Sequence, residues 1–119
     1  MSDYLPRYKP ADGITRTATA TVTGGQLVTV AGAPCAADSV TFLGVASRDA
    51  LAGEQFTVFP DDVQQLTAAT SLAIGTPVKC AANGQVTTWV SGTDNYDRYV
   101  GITLEAIASG AAGAVRMTR

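Results

Sequence analysis

Ten acidic side chains, eight basic ones, two cysteines and no histidine are what this 119-residue chain offers for chemistry. Without histidine there is no Ser-His-Asp triad, no Cys-His pair and no imidazole-ligated metal. Cys35 and Cys80 stand far apart and form no Cys-x-x-Cys pair. They read as reduced, partly buried thiols, with a disulfide between them as the alternative. Asp61 and Asp62 are adjacent, so on a strand they would point to opposite faces, whereas a two-carboxylate mechanism needs both acids facing one bond. Glu105, between Leu104 and Ala106, reads as an ion-pair or edge residue. "SGTDNYD" (91–97) has oxygen ligands without the spacing of a calcium loop. "SGAAGAV" (109–115) lacks the lysine and hydroxyl of a phosphate loop. Trp89 with Tyr96 and Tyr99 could form a sugar-binding platform, although a single tryptophan in a hairpin more commonly serves a core or an interface. No catalytic, metal or cofactor set emerges, and a structural or binding protein is expected.

The elements that must position these residues are short strands. Length allows one domain. Hydrophobic residues make up 46% of the chain, too many for disorder, but many of them are alanine, so the expected core is modest. Assembly would bury more surface. The net charge of −2, with basic residues dispersed from Arg7 to Arg119, argues against nucleic acid. No apolar run approaches a membrane span, and "MSDYLPRYKP" lacks the layout of a secretory signal, so cytoplasmic synthesis is expected.

Residues 1–13 read as an extended arm, because Pro6 and Pro10 block helix and Asp12-Gly13 signals a turn. Within it Tyr4, Leu5 and Tyr8 alternate with Arg7 and Lys9, as suits a segment that orders against another protein. The remaining 14–119 reads as all-β. "TRTATATVT" (15–23) alternates threonine with Arg16, Ala18, Ala20 and Val22 and predicts a strand lying on something, which "TGGQ" then turns into "LVTVA" as a hairpin. "VTFLGVA" predicts a strand buried on both faces. "FTVFP" alternates, and "VQQLTAATSLAIG" reads as short strand pieces. "TPVKCA", the Asn83-Gly84 turn and "VTTWV" predict a second hairpin. "RYVGITLEA" and "AVRMT" close the chain as strands. Strands broken every eight to twelve residues indicate a small β-barrel or sandwich.

Two stretches resemble each other: Phe42–Pro60 carries Gly44, Gly53 and Val58, and Val100–Thr118 carries Gly101, Gly110 and Val115 at the same spacings. A glycine inside an apolar strand marks a bulge or a close backbone approach, and the second glycine marks a bend. Two such units would build the domain from repeated halves.

"GVASRDALAGEQFTVFP", "AIGTPVKCAANGQVTTW" and "YVGITLEAIASGAAGAVRMTR" together resemble the capsid decoration, or cement, proteins of tailed double-stranded DNA phages. The likeness rests on Ala52, Gly53, Glu54, Phe56 and Val58, on Gly75, Pro77 and Val78, and on Val100, Gly101, Leu104, Glu105, Ala106, Gly110, Val115, Arg116 and Met117. It covers residues 40–119. The resemblance implies a β-tulip-like domain that trimerises on the outer face of an expanded head, straddles contacts between major capsid proteins and stabilises them. It implies a virion location, with no cofactor, nucleic acid or membrane. The arm residues Tyr4, Leu5, Arg7, Tyr8 and Lys9 are then the expected capsid contact, and Trp89, Tyr96 and Tyr99 a candidate subunit interface. A carbohydrate- or surface-binding module, and another virion part such as a tail-tube or head-completion subunit, are the alternatives.

Overall fold

The computed structural model describes residues 13–60 and 63–117. Except for Gly13, the expected arm lies outside the described residues, as do Asp61 and Asp62. Among the described residues there are nine strands, two single 3₁₀ turns and no α-helix. The first sheet has the order β1-β4-β3-β2, from Ile14–Thr17, Gln55–Phe59, Phe42–Ala46 and Leu27–Thr29. The second has the order β5-β9-β8-β6-β7, from Val63–Thr67, Ala112–Met117, Tyr99–Thr103, Pro77–Cys80 and Val86–Thr88. All strand pairs are antiparallel. The small all-β domain expected from the sequence is what the chain forms.

The two sheets are copies of one plan. Ile14 faces Val58 as Gln64 faces Val115, and Ala46 faces Val58 as Thr103 faces Val115. Val28 faces Gly44 as Val78 faces Gly101, and the next pairs, Thr29–Phe42 and Lys79–Tyr99, skip one residue in each half. That skip is a β-bulge, which turns the extra Leu43 or Val100 inward together with the glycine beside it. Outside the strands, Val22 bridges Ala50 as Leu72 bridges Ile107. Gly53 N–H donates to Ala18 C=O as Gly110 N–H donates to Ala68 C=O. The repeat seen in the sequence is therefore the architecture: two half-barrels, each closed by a short flap.

The glycines explain themselves in this frame. A Cβ on Gly44 would lie 2.4 Å from the Phe59 carbonyl oxygen, and one on Gly101 would lie 2.1 Å from that of Arg116. Only a residue without a side chain lets the neighbouring strand pass there. Gly53 and Gly110 instead face open space but have φ of +92° and +81°, a conformation that side chains resist.

Each half has a core. In the first, Ala18, Val22, Val28, Ala46, Ala50, Phe56 and Val58 cluster. In the second, Leu66, Ala68, Leu72, Val78, Cys80, Val86, Val100, Ile107, Val115 and Met117 do so, joined by Leu27, Cys35 and Val45 from the first half. The outer face of the first sheet thus packs onto the inside of the second.

One expected pairing is corrected. Residues 15–23 do not form one strand, and they do not make a hairpin with Leu27–Thr29. The Thr23–Gln26 turn exists, with Gln26 N–H donating to Thr23 C=O. Strand β1 ends at Thr17 and pairs with β4, while β2 has β3 on one side and the Pro34 bridge on the other. Both edges of β2 are taken, so the turn delivers a flap rather than a partner. The alternation still marks the buried side, since Ala18 and Val22 are buried and Thr15, Thr17, Thr19, Thr21 and Thr23 are exposed. The Asn83-Gly84 hairpin forms as expected, with β6 paired to β7 and Asn83 and Gly84 both at positive φ.

Candidate functional site: the outer face of the second half

Because the halves share one plan, each residue of the first sheet's packed outer face has a counterpart in the second. Leu27 faces Val45 as Pro77 faces Ile102. Phe42 corresponds to Tyr99 through the bulge. Cys35 N–H donates to Leu27 C=O as Trp89 N–H donates to Pro77 C=O. So Leu27, Cys35, Phe42 and Val45 correspond to Pro77, Trp89, Tyr99 and Ile102. The first set lies in or against the interface between the halves. In the second set Pro77, Tyr99 and Ile102 remain half-exposed.

Aromatic residues organise this second face. The Trp89 ring lies 5.5 Å from Tyr99, edge to face, and 5.2 Å from Tyr96, tilted. The indole N–H donates to the Asn95 carbonyl at 2.9 Å. The structure thus brings together the three aromatic residues singled out in the sequence. Trp89 is only 7% exposed, so it supports the face from beneath, and the 80%-exposed Tyr96 is what a partner would meet. The arm residues Tyr4, Leu5, Arg7, Tyr8 and Lys9 lie outside the described residues.

A four-residue ion network holds the loop that carries Tyr96. The Lys79 ammonium, on β6, sits 2.7 Å from Asp38 and 2.8 Å from Asp94. The Arg98 guanidinium lies 3.3 Å from the same Asp94 oxygen. The other Asp94 oxygen accepts the Val90 N–H at 2.8 Å, and the Asp94 side chain is 3% exposed. The Lys79 hydrogen bond, then the Val90 one, hold the Asp94 carboxyl below the usual carboxylate range. Asp38 and then Asp94 push the Lys79 ammonium up. Asp38 belongs to the first half, and its N–H donates to Cys80 C=O, so the network also ties the halves together. Its four members come from three separated segments, and no spacing rule connects them in the sequence. Glu105 takes the edge role: it is exposed, and its carboxylate accepts the Ala114 N–H at 3.1 Å.

An open hollow of about 220 Å³ lies at the first half's flap, lined by Thr21–Thr23, Asp49–Leu51 and Glu54. Its two carboxylates are occupied, Asp49 by Gly24 N–H and Glu54 by Leu51 N–H. Among the described residues no group of three or more Cys, Asp or Glu is placed to hold a metal ion. Among the described residues no helix is long and apolar enough to cross a membrane.

No curated protein matches the sequence. Among solved structures, the fold is similar to the N base of the head fiber gp8.5 of bacteriophage phi29. The TM-score is 0.70 at 18% identity, over 89% of this chain and 92% of that one. The family model described as phage cement protein matches residues 8–119. With the family model covering residues 8–119, this chain belongs to the phage cement protein family.

Proposed function

We propose that this protein is a homotrimer that decorates the outer surface of an expanded phage head, binding the major capsid protein and reinforcing contacts between its subunits. Family membership supports association with a capsid. The observation that carries the reading is the outer face of the second half, against which, among the described residues, no further sheet packs. Of its counterparts in the first half, Leu27, Cys35 and Val45 are buried and Phe42 is half-buried against the same cluster, whereas Pro77, Tyr99 and Ile102 are all half-buried on a surface resting on Trp89. A second copy of the chain supplies a matching receiver. Cys80 lies where the first half's outer face packs, and its counterpart in the first half is Val30, which is 52% exposed. Repeating the intrachain contact between chains, with Trp89, Tyr96 and Tyr99 of one copy against Val30 of the next, gives a head-to-tail interface, which in the proposed trimer closes as a ring. Three chains then present six similar half-barrels.

A trimer also presents three arms. Tyr4, Leu5, Arg7, Tyr8 and Lys9 are the proposed capsid contact, and three weak attachments on one rigid body give tight binding by multivalency. Co-sedimentation with expanded heads tests this directly. Protein lacking residues 1–13 is expected to remain folded and trimeric and to stay in the supernatant; normal binding by the truncated form rejects the arm's role.

A further inference from the structure

The two cysteines meet across the boundary between the halves. Cys35 sits in the segment that bridges β2, and Cys80 ends β6. Three backbone bonds fix their neighbourhoods together: Cys35 N–H to Leu27 C=O, Gly84 N–H to Cys35 C=O and Asp38 N–H to Cys80 C=O, at 2.9, 2.9 and 3.0 Å. Both side chains belong to the same core cluster, at 1% and 0% exposure. Neither cysteine is in a disulfide. We propose that Cys35 and Cys80 form an oxidative modification site, which closes into a disulfide with hydrogen peroxide and locks the two half-barrels to each other.

The roles of the two sulfurs are unequal. The hydrogen bond from Cys80 and a further one from Ser39 hold the Cys35 thiol below its ordinary value against the opposing effect of burial. In the proposed sequence Cys35 is the sulfur that attacks first. It displaces hydroxide from hydrogen peroxide and becomes a sulfenic acid. The Cys80 sulfur then attacks the Cys35 sulfur, and the hydroxyl leaves as water with the Cys80 proton. In sum, two thiols and one peroxide give one disulfide and two waters. Burial admits only a small oxidant, which is why peroxide fits and a bulky disulfide reagent does not. The cross-link closes a loop of about 45 residues, so it restricts the unfolded chain substantially. This chemistry is independent of the capsid reading; only its timing, after a particle leaves a reducing cell interior, rests on that reading.

The test uses the full-length protein, treated with hydrogen peroxide and then denatured and alkylated. The expected product is a single chain that has lost two hydrogens and gives a peptide joining Cys35 to Cys80. Its thermal midpoint should rise by on the order of 10 °C, reversibly with dithiothreitol. In Cys80→Ser treated with peroxide and then denatured in the presence of dimedone, Cys35 should be labelled as the sulfenic acid, whereas Cys35→Ser should leave Cys80 unlabelled. Alkylation of both thiols after peroxide, chain-to-chain cross-links, or a cross-linked form that melts no higher than the reduced one would each overturn the proposal.

Discussion

Gly101 and Gly110 occupy the same stretch of the second half, yet they are glycine for different reasons, and substitution should separate them. A methyl on Gly101 meets the Arg116 backbone at 2.1 Å, and backbone cannot yield as a flexible side chain can. Gly101→Ala is expected to cost roughly 3 kcal/mol or more, or to prevent folding. Gly110→Ala meets nothing and bears only the cost of a positive φ, on the order of 1 kcal/mol. Urea unfolding of the two variants gives the comparison. Asp94 allows a second test at this scale. Its carboxyl titrates lower in the folded chain than in the unfolded one, so its contribution is present above the unfolded value near pH ~4 and is lost as pH falls through the lower folded value. Lys79 shifts the other way, so its contribution persists below the unfolded value near ~10.4 and fades only as pH rises beyond its raised folded value. The gap in thermal midpoint between wild type and Asp94→Asn should therefore be constant from pH 6 to pH 8 and shrink below about pH 4. A gap that is unchanged at pH 2 would contradict the ion network.

Among elements, the repeat tolerates a redistribution of volume. Where the first half has Phe56 on β4 and Ala50 in the flap, the second has Gly113 on β9 and Ile107. A Cβ on Gly113 would sit 2.5 Å from Ile107 Cγ1, so the large residue has moved from strand to flap. Gly113→Ala should destabilise by about 1–3 kcal/mol, and much less in an Ile107→Ala background. Additive costs in that double-mutant cycle would mean that the two residues do not share one space. The same elements show what was legible beforehand. Gly44 and Gly101, and the valines Val58 and Val115, mark the repeat because strand crossing and inward packing restrict those positions to a few residue types. The pairing of β1 is not legible in the sequence, because "TGGQ" specifies a turn and nothing local reveals that Ala50 and β4 hold the residues before it. The Asp38–Lys79–Asp94–Arg98 network was equally invisible, since folding alone brings its members together. Trp89, Tyr96 and Tyr99 could be read as a group because large aromatics are rare in this chain and their spacing is short.

At the scale of the whole molecule, the duplication leaves one interface used and one open. Among the described residues, the first half packs its outer face on the second, and the equivalent face of the second keeps Pro77, Tyr99 and Ile102 half-buried. The proposed ring of chains would resolve that asymmetry and enlarge a core that is rich in alanine and valine. The decisive measurement is the solution mass, by light scattering, of the wild-type protein and of Val30→Asp. Val30 is largely exposed in the single chain, so the variant should keep its fold, verified by an unchanged circular dichroism spectrum. The wild type is expected at three chains and Val30→Asp at one. A monomeric wild type, or a variant that stays trimeric, would contradict the claim that the open face of the second half binds another copy.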